Sequence, residues 1–353
     1  MTIAIAAAGT GGHVFPALAV AEALVRLGTE PTDIVFFGGN RIEATAVPAA
    51  GFELVSVDVR GLVRKLSPTN LKVMTGVLKA ARTLRREMSD RRVTVVLAMG
   101  GYVTGPAALA ARMARIPLFL HEQNAIPGLA NRWAARLAER VFVAFPAAMA
   151  GFSRAETVGN PLRFALLAAP PDRPAALARY GLAPDRPVIG VLGGSQGADA
   201  LNRAAGGLVE SGHQVLHLAG RDQHEPWTDL AAGRSDWTVI PFEDDMQFFY
   251  AAADLVVARA GALTVSELAA TGTPSILVPY PGVGNHQEAN AAYLSEVGGA
   301  TILLQPDLAR LPAEVDAALE PLELKRRAAA AHARGRPDAA GYVAAQLKEA
   351  AHA

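Results

Sequence analysis

Ala6-Ala7-Ala8-Gly9-Thr10-Gly11-Gly12-His13-Val14-Phe15-Pro16 follows a short apolar run, Ile3-Ala4-Ile5, and precedes an Ala/Leu/Val-rich segment with helical spacing. Strand, glycine turn, helix is the order that lets backbone approach an anion and aims unpaired helix N–H groups at it. His13 stands at the mouth of this turn, where a neutral imidazole can accept a proton. The turn does not spell the dinucleotide fingerprint. Glycine turns of this kind also serve simply to pack a helix on a strand, so the meaning of this one depends on the rest of the chain.

The same pattern continues. Short apolar runs at 34–37, 54–57, 93–97, 118–121 and 140–144 predict strands, with helical spacing between them, as in 16–27 and 104–114. Continuous apolar strands alternating with amphipathic helices require a parallel sheet buried on both faces. A second series begins at Val188-Ile189-Gly190-Val191-Leu192, followed by Gly193-Gly194-Ser195-Gln196-Gly197-Ala198 and a helix. Further strands are predicted at 214–218, 238–240, 255–257, 275–278 and 301–304. The expectation is therefore two doubly wound α/β domains in tandem. The first spans 1–160, and the second spans 161–337 with the crossing near Gly159-Asn160-Pro161. An alanine-rich helix closes the chain from 338 onward.

At 353 residues the chain exceeds what one core usually serves, and its 51% hydrophobic and 19% charged residues suit sizeable cores. It has no cysteine, which excludes disulfides, thiolate metal sites and cysteine nucleophiles. No long uncharged apolar run or basic-then-apolar leader is present, so neither a spanning helix nor a signal peptide is expected. The net charge of 0 conceals an asymmetry: residues 1–160 carry 18 Lys/Arg against 11 Asp/Glu, whereas 161–353 carry 15 against 22. A basic half points to an anionic partner. Ten of its cations fall between Arg60 and Arg92, against two acids. There Leu71, Met74, Leu78, Ala81, Leu84 and Met88 share one helical face, and Lys72, Lys79, Arg82 and Arg86 the other. Such a segment suits an anionic membrane surface or, equally, an ordinary solvated helix.

Four glycine turns follow apolar strands: Gly9–Gly12, Gly100–Gly105, Gly193–Gly197 and the turn at Gly261. All are expected at the carboxyl ends of the sheets, where open α/β proteins bind ligands. Together they point to a phosphate-bearing ligand in a cleft between the halves. Glu267, on the helix that Gly261 opens, suits a vicinal diol such as a ribose or, as is commoner for a lone Glu, is an exposed helix residue. Gln287 and Asn290 suit sugar hydroxyls, and His121-Glu122-Gln123-Asn124 offers four polar groups to the same cleft. Ser195 lacks the glycine spacing of a nucleophile elbow, so phosphate contact is the better reading. Asp244-Asp245 reads as helix N-terminal charge, not a metal motif. The eight histidines show no metal-ligand spacing, and the few aromatics give little support for nucleic acid binding.

These motifs, from Gly9-Thr10-Gly11-Gly12-His13-Val14-Phe15-Pro16 through Met99–Pro106, His121–Asn124, Gly159-Asn160-Pro161, Gly193–Ala198 and Arg259–Glu267, resemble the MurG family. Its members are bacterial peptidoglycan glycosyltransferases that add N-acetylglucosamine (GlcNAc) to lipid I. The resemblance implies a GT-B fold, with two Rossmann-like domains facing a central cleft and the C-terminal helix crossing back onto the first domain. It implies UDP-GlcNAc as donor and undecaprenyl-pyrophosphoryl-MurNAc-pentapeptide as acceptor, with inversion, no metal and no cofactor. The implied setting is cell wall synthesis, cell shape and division, peripherally on the cytoplasmic face of the inner membrane.

By position, the resemblance makes His13 the base and places Thr10, Gly11 and Gly12 beside the donor sugar and pyrophosphate. Asn124 meets GlcNAc, Arg163 and Ser195 meet the nucleotide or its phosphates, and the Glu243 backbone meets uracil. Ala262, Leu263, Thr264, Val265 and Ser266 cradle phosphate, Glu267 holds the ribose and Gln287 the sugar hydroxyls. Gly101 and Tyr102 fall on the acceptor side. Glu243 stands where relatives have a bulky apolar residue, and His286-Gln287 where some have paired glutamines. Two other readings stand beside it: a UDP-GlcNAc 2-epimerase-like enzyme, which shares the architecture, and, of a different class, a two-lobed ligand-binding protein without catalysis.

Overall fold

The computed structural model describes residues 1–57, 69–168, 170–194, 196–282 and 285–352, with the backbone alone over 69–74. The chain divides into two compact units, Met1–Phe164 with Pro337–Ala353, and Ala165–Arg336. The change of unit thus falls after Phe164 rather than after Asn160. The reason is local: Leu162 is buried, the Asn160 amide donates to the Gln123 carbonyl, and the Arg163 guanidinium lies 5.9 Å from the Phe15 ring. Arg163 therefore belongs to the first unit.

In that unit β1 (Thr2–Ala6), β2 (Ile34–Gly38), β3 (Glu53–Ser56), β4 (Val93–Ala98), β5 (Leu118–Glu122), β6 (Arg140–Val143) and β7 (Glu156–Thr157) pair in the order β3-β2-β1-β4-β5-β6-β7. Every pairing is parallel. Two-residue β7 has no pattern that periodicity could detect. Alternation along the strands divides the apolar side chains between two cores. Ile3, Ile5, Phe36 and Leu97 face the helix Gly11–Arg26 and the C-terminal helix Ala339–His352. Ala4, Ala6, Phe37 and Val96 face the helices Thr69–Asp90 and Thr104–Ala114. Val343 and Leu347 of the C-terminal helix are completely buried in the first core, each contributing about 1.5–3 kcal/mol. That burial explains why the chain returns to its first unit after completing the second.

The second unit repeats the design. β8 (Val188–Leu192), β9 (Gln214–Leu218), β10 (Trp237–Ile240), β11 (Leu255–Ala258), β12 (Ser275–Leu277) and β13 (Ala300–Ile302) pair in the order β10-β9-β8-β11-β12-β13, again all parallel. Strand order reverses direction between β1 and β4 in one sheet, and between β8 and β11 in the other. Those two reversals are where each unit opens a crevice at its carboxyl edge.

Candidate active site

Each reversal carries two of the glycine turns. In the first unit Gly9–Gly12 leaves β1 and Gly100-Gly101 leaves β4. Thr10 is extended, and its carbonyl accepts the His13 and Val14 N–H groups at 3.0 and 3.2 Å. The N–H groups of Gly11 and Gly12, the first two helical residues, have no carbonyl within the helix to donate to. They are donors at the N-terminal end of the helix. Pro16, inside the same helix, supplies no N–H to the Gly12 carbonyl.

Buried Glu43, which sequence reasoning missed, shapes this turn from below. Its carboxylate accepts the N–H groups of Gly9 and Gly39, each at 3.0 Å, and the Tyr102 hydroxyl at 2.7 Å. Burial works against its ionisation, but the Tyr102 and backbone hydrogen bonds prevail and hold its pKa below the ordinary value. The Tyr102 hydroxyl, raised to about 12 by burial and then by Glu43, is thereby engaged beneath the turn. Neighbouring Gly101 has φ +80, and a Cβ there would stand 2.1 Å from the Ala8 carbonyl. A depressed carboxyl pKa stabilises the fold above the unfolded-state pKa and loses that contribution as pH falls through the folded value. Glu43→Gln is accordingly expected to lower the Tm of the first unit by about 5 °C at pH 7. The difference from wild type should shrink in melts taken towards pH 3; a constant difference would remove the ionised-Glu43 account.

His13 is half-buried, and its Nδ1 lies 2.9 Å from Gln123 Oε1. Among the described residues no group hydrogen-bonds its Nε2. The His121–Asn124 run does not present four polar groups to a ligand, as the sequence suggested. His121, Glu122 and Gln123 are buried and turn into the protein, and only Asn124 is half-exposed. The Glu122 carboxylate accepts from the Asn124 N–H at 2.9 Å, the Gly128 N–H at 3.0 Å and Asn131 Nδ2 at 2.8 Å, folding the loop after β5 around itself. Burial lowers the His121 pKa to about 4, so that ring is neutral at physiological pH.

In the second unit Gly193-Gly194 follows β8, and Gly261 follows β11 to open the helix Ala262–Thr271. Ser195 lies outside the described residues. Val265 donates to the Gly261 carbonyl at 2.9 Å, leaving Ala262, Leu263 and Thr264 N–H groups ahead of the first helical bond. Val265 is itself buried, so its side chain serves the core, while Ser266 and Glu267 are half-buried. Glu267 Oε2 accepts the Tyr250 hydroxyl at 2.8 Å, which fixes the carboxylate's orientation. Burial, then Glu267, raises the Tyr250 pKa, so that hydroxyl remains a donor.

Glu243 is buried, and its carboxylate takes the Tyr180 hydroxyl at 2.6 Å, Arg179 at 2.9 Å and the Asp245 N–H at 2.8 Å. A carboxylate so engaged leaves contact with a base to the backbone. Asp245 precedes the helix Met246–Ala252 and pairs with Arg179 at 3.4 Å. Gln287 Oε1 accepts the Tyr280 N–H at 2.8 Å, which fixes the orientation of its amide. Asn290 is buried and donates to the Ala260 carbonyl at 3.2 Å, bracing the Gly261 turn from within. Buried Arg259, quoted in the sequence only as part of a motif, ties β11 to the loop after β12. It donates to the Val278 and Pro279 carbonyls at 3.2 Å each, and to Gln305 at 2.6 Å. Burial lowers its pKa.

Lys79, Arg82 and Arg86 are exposed on the helix Thr69–Asp90, whereas Ala81, Leu84 and Met88 enter the core. The Lys72 side chain lies outside the described residues, as do those of Leu71 and Met74. Leu78 departs from the predicted apolar face: it is 41% exposed, on the same line of the helix as Arg82 and Arg86. Among the described residues no helix is long and apolar enough to cross a membrane, and no group of three His, Cys, Asp or Glu side chains could hold a metal ion.

Two doubly wound sheets in tandem, each with glycine turns and a helix N-terminus at its strand-order reversal, define a GT-B-type α/β protein. Comparison with known proteins narrows the class. Residues 3–143 match the glycosyltransferase family 28 N-terminal domain, and residues 188–345 its C-terminal domain. The chain is 44% identical to the UDP-N-acetylglucosamine–N-acetylmuramyl-(pentapeptide) pyrophosphoryl-undecaprenol N-acetylglucosamine transferase of Halorhodospira halophila, over 99% of each chain. It is 42% identical to the enzyme of that name from Methylococcus capsulatus, again over 99% of both. The crystal structure of Acinetobacter baumannii MurG superposes with a TM-score of 0.78 at 32% identity, covering 99% of each chain. The chain belongs to the MurG family within glycosyltransferase family 28.

Proposed function

We propose that this enzyme transfers GlcNAc from UDP-GlcNAc to the 4-hydroxyl of MurNAc in undecaprenyl-pyrophosphoryl-MurNAc-pentapeptide, converting lipid I to lipid II, with His13 as the general base. The observation that carries the assignment is the end-to-end match to transferases of that activity. It does not favour the epimerase-like reading or the non-catalytic binding protein. The base assignment is supported by His13 Nε2, to which no described group hydrogen-bonds, in the first turn of the helix that Gly11 and Gly12 open.

In the reaction the acceptor O4 attacks the anomeric carbon from the face opposite UDP. A C–O bond to the acceptor forms as the bond to the β-phosphate oxygen breaks. The hydroxyl proton passes to His13 Nε2, and UDP leaves with the bonding pair. The N–H groups at the start of Ala262–Thr271, with Ser195 and Arg163, stabilise the departing pyrophosphate. Glu267 accepts from the ribose hydroxyls, the Glu243 backbone meets uracil, and Thr10, Asn124 and Gln287 bind the sugar. Release of UDP that requires both UDP-GlcNAc and a lipid I analogue is the expected result. UDP-GlcNAc epimerisation without acceptor, or binding without turnover, would overturn it.

We assign the reaction to the cytoplasmic face of the inner membrane, peripherally, the setting that the family resemblance implies and that a lipid-borne acceptor supports. Exposed Leu78 among Lys79, Arg82 and Arg86 gives the helix one apolar contact among cations that each contribute about 1 kcal/mol near an anionic surface. Replacing Lys72, Lys79, Arg82 and Arg86 by glutamine is expected to weaken binding to anionic vesicles, read by flotation, by about 10²–10³-fold at low salt, and less at high salt. Unaltered flotation would place membrane contact elsewhere.

A further inference from the structure

We infer that Gln123 is a positioning residue that holds His13 in the tautomer with its proton on Nδ1 and its lone pair on Nε2, and that the Gly159 carbonyl dictates this arrangement through His121. The inference deepens, and rests on, the reading of His13 as the base.

The logic begins at the buried end. A carbonyl can only accept, so His121 Nε2, 2.9 Å from the Gly159 oxygen, carries a proton. His121 is completely buried and neutral, with one ring proton only. Its Nδ1 is therefore an acceptor, and it takes a hydrogen from Gln123 Nε2 at 3.1 Å. The second hydrogen of that amide goes to the His121 carbonyl at 3.1 Å. Rotating the amide by half a turn would set its oxygen against two acceptors at once. The Gln123 amide therefore has one orientation, with Oε1 towards His13 Nδ1 at 2.9 Å. An amide oxygen also only accepts, so the His13 proton is on Nδ1 and the basic lone pair on Nε2.

Two further features protect the arrangement. Asn160 Nδ2 donates to the Gln123 carbonyl at 3.1 Å, anchoring the backbone from which the amide extends. Gly100, at φ +106, lies over the His13–Gln123 contact. A Cβ there would stand 2.6 Å from His13 Nδ1 and 3.3 Å from Gln123 Oε1, so this bond needs a glycine beside it. An unrestrained imidazole exchanges between two tautomers, only one of which offers Nε2 as a base. The buried chain selects that one in every molecule and aims the ring before substrate arrives.

The test uses the full chain labelled with 15N-histidine, and long-range proton–nitrogen correlation at mildly basic pH. The His13 signals are identified by their loss in His13→Gln. We expect a protonated Nδ1 and an unprotonated Nε2. In Gln123→Met we expect a mixture of tautomers, and a kcat lower by about 10- to 100-fold, the scale on which groups that orient a functional histidine act. The donor KM should stay within about twofold, because Gln123 is buried and holds the base rather than the donor. A wild-type ring protonated at Nε2, or a Gln123→Met ring with an unchanged tautomer, would overturn the inference. Should Gln123→Met fail to fold, the wild-type tautomer alone decides. Failure of the base assignment shows separately, as normal turnover in His13→Gln.

Discussion

His13→Ala is expected to lower kcat by about 10²–10⁴-fold, the usual contribution of a general base, while UDP affinity changes little. The split follows from position. His13 is the third residue of the helix Gly11–Arg26 in the first unit, whereas the groups assigned to uracil, ribose and phosphate are chiefly in the second. Removing the imidazole deletes the proton acceptor and leaves the Gly11 and Gly12 N–H groups in place. Steady-state kinetics with a lipid I analogue, beside calorimetric titration of UDP, separates the two quantities. Near-normal turnover would remove the base assignment, and an equal loss of UDP binding would show that the side chain serves the nucleotide.

Glu267→Ala is expected to raise the donor KM about 100-fold, since a hydrogen bond to a charged acceptor is worth about 1.5–3 kcal/mol and a ribose offers two hydroxyls. The Tyr250 hydroxyl already orients the carboxylate, so little ordering remains to be done on binding. Glu267→Gln can still accept from Tyr250 through its amide oxygen and should lie between wild type and alanine. A donor lacking the ribose 2′-hydroxyl gives the sharper check. Against wild type it should bind more weakly, and against Glu267→Ala the same deletion should cost little. An unchanged KM in Glu267→Ala, or full additivity with the deoxy donor, would refute the ribose role.

The fold was largely legible because parallel strands buried on both faces read as continuous apolar runs. The predicted strands 188–192 and 214–218 coincide with β8 and β9 to the residue. β7 escaped notice because two residues have no period, and the change of unit after Phe164 was misplaced because contacts of Asn160, Leu162 and Arg163 decide it. In the candidate site, His13 at the start of one helix and Glu267 further along another, each helix opened by a strand-end turn, are legible as chemically capable residues. The polar run His121–Asn124 after a strand looks from sequence like four groups facing a ligand, yet His121, Glu122 and Gln123 turn inward.

Chain order and hydrophobic spacing by themselves determined two α/β units, the glycine turns at their strand ends and, through the motifs, the family. These are local matters, because strand burial and the conformation of a glycine turn are written in consecutive residues. The tertiary structure alone decided how Glu43 supports a turn 34 positions earlier, and how the Gly159 carbonyl reaches His13 through two intervening side chains. Hydrogen bonds between distant residues depend on which atoms a fold brings to within about 3 Å. Donors and acceptors have no sequence period to reveal those pairings.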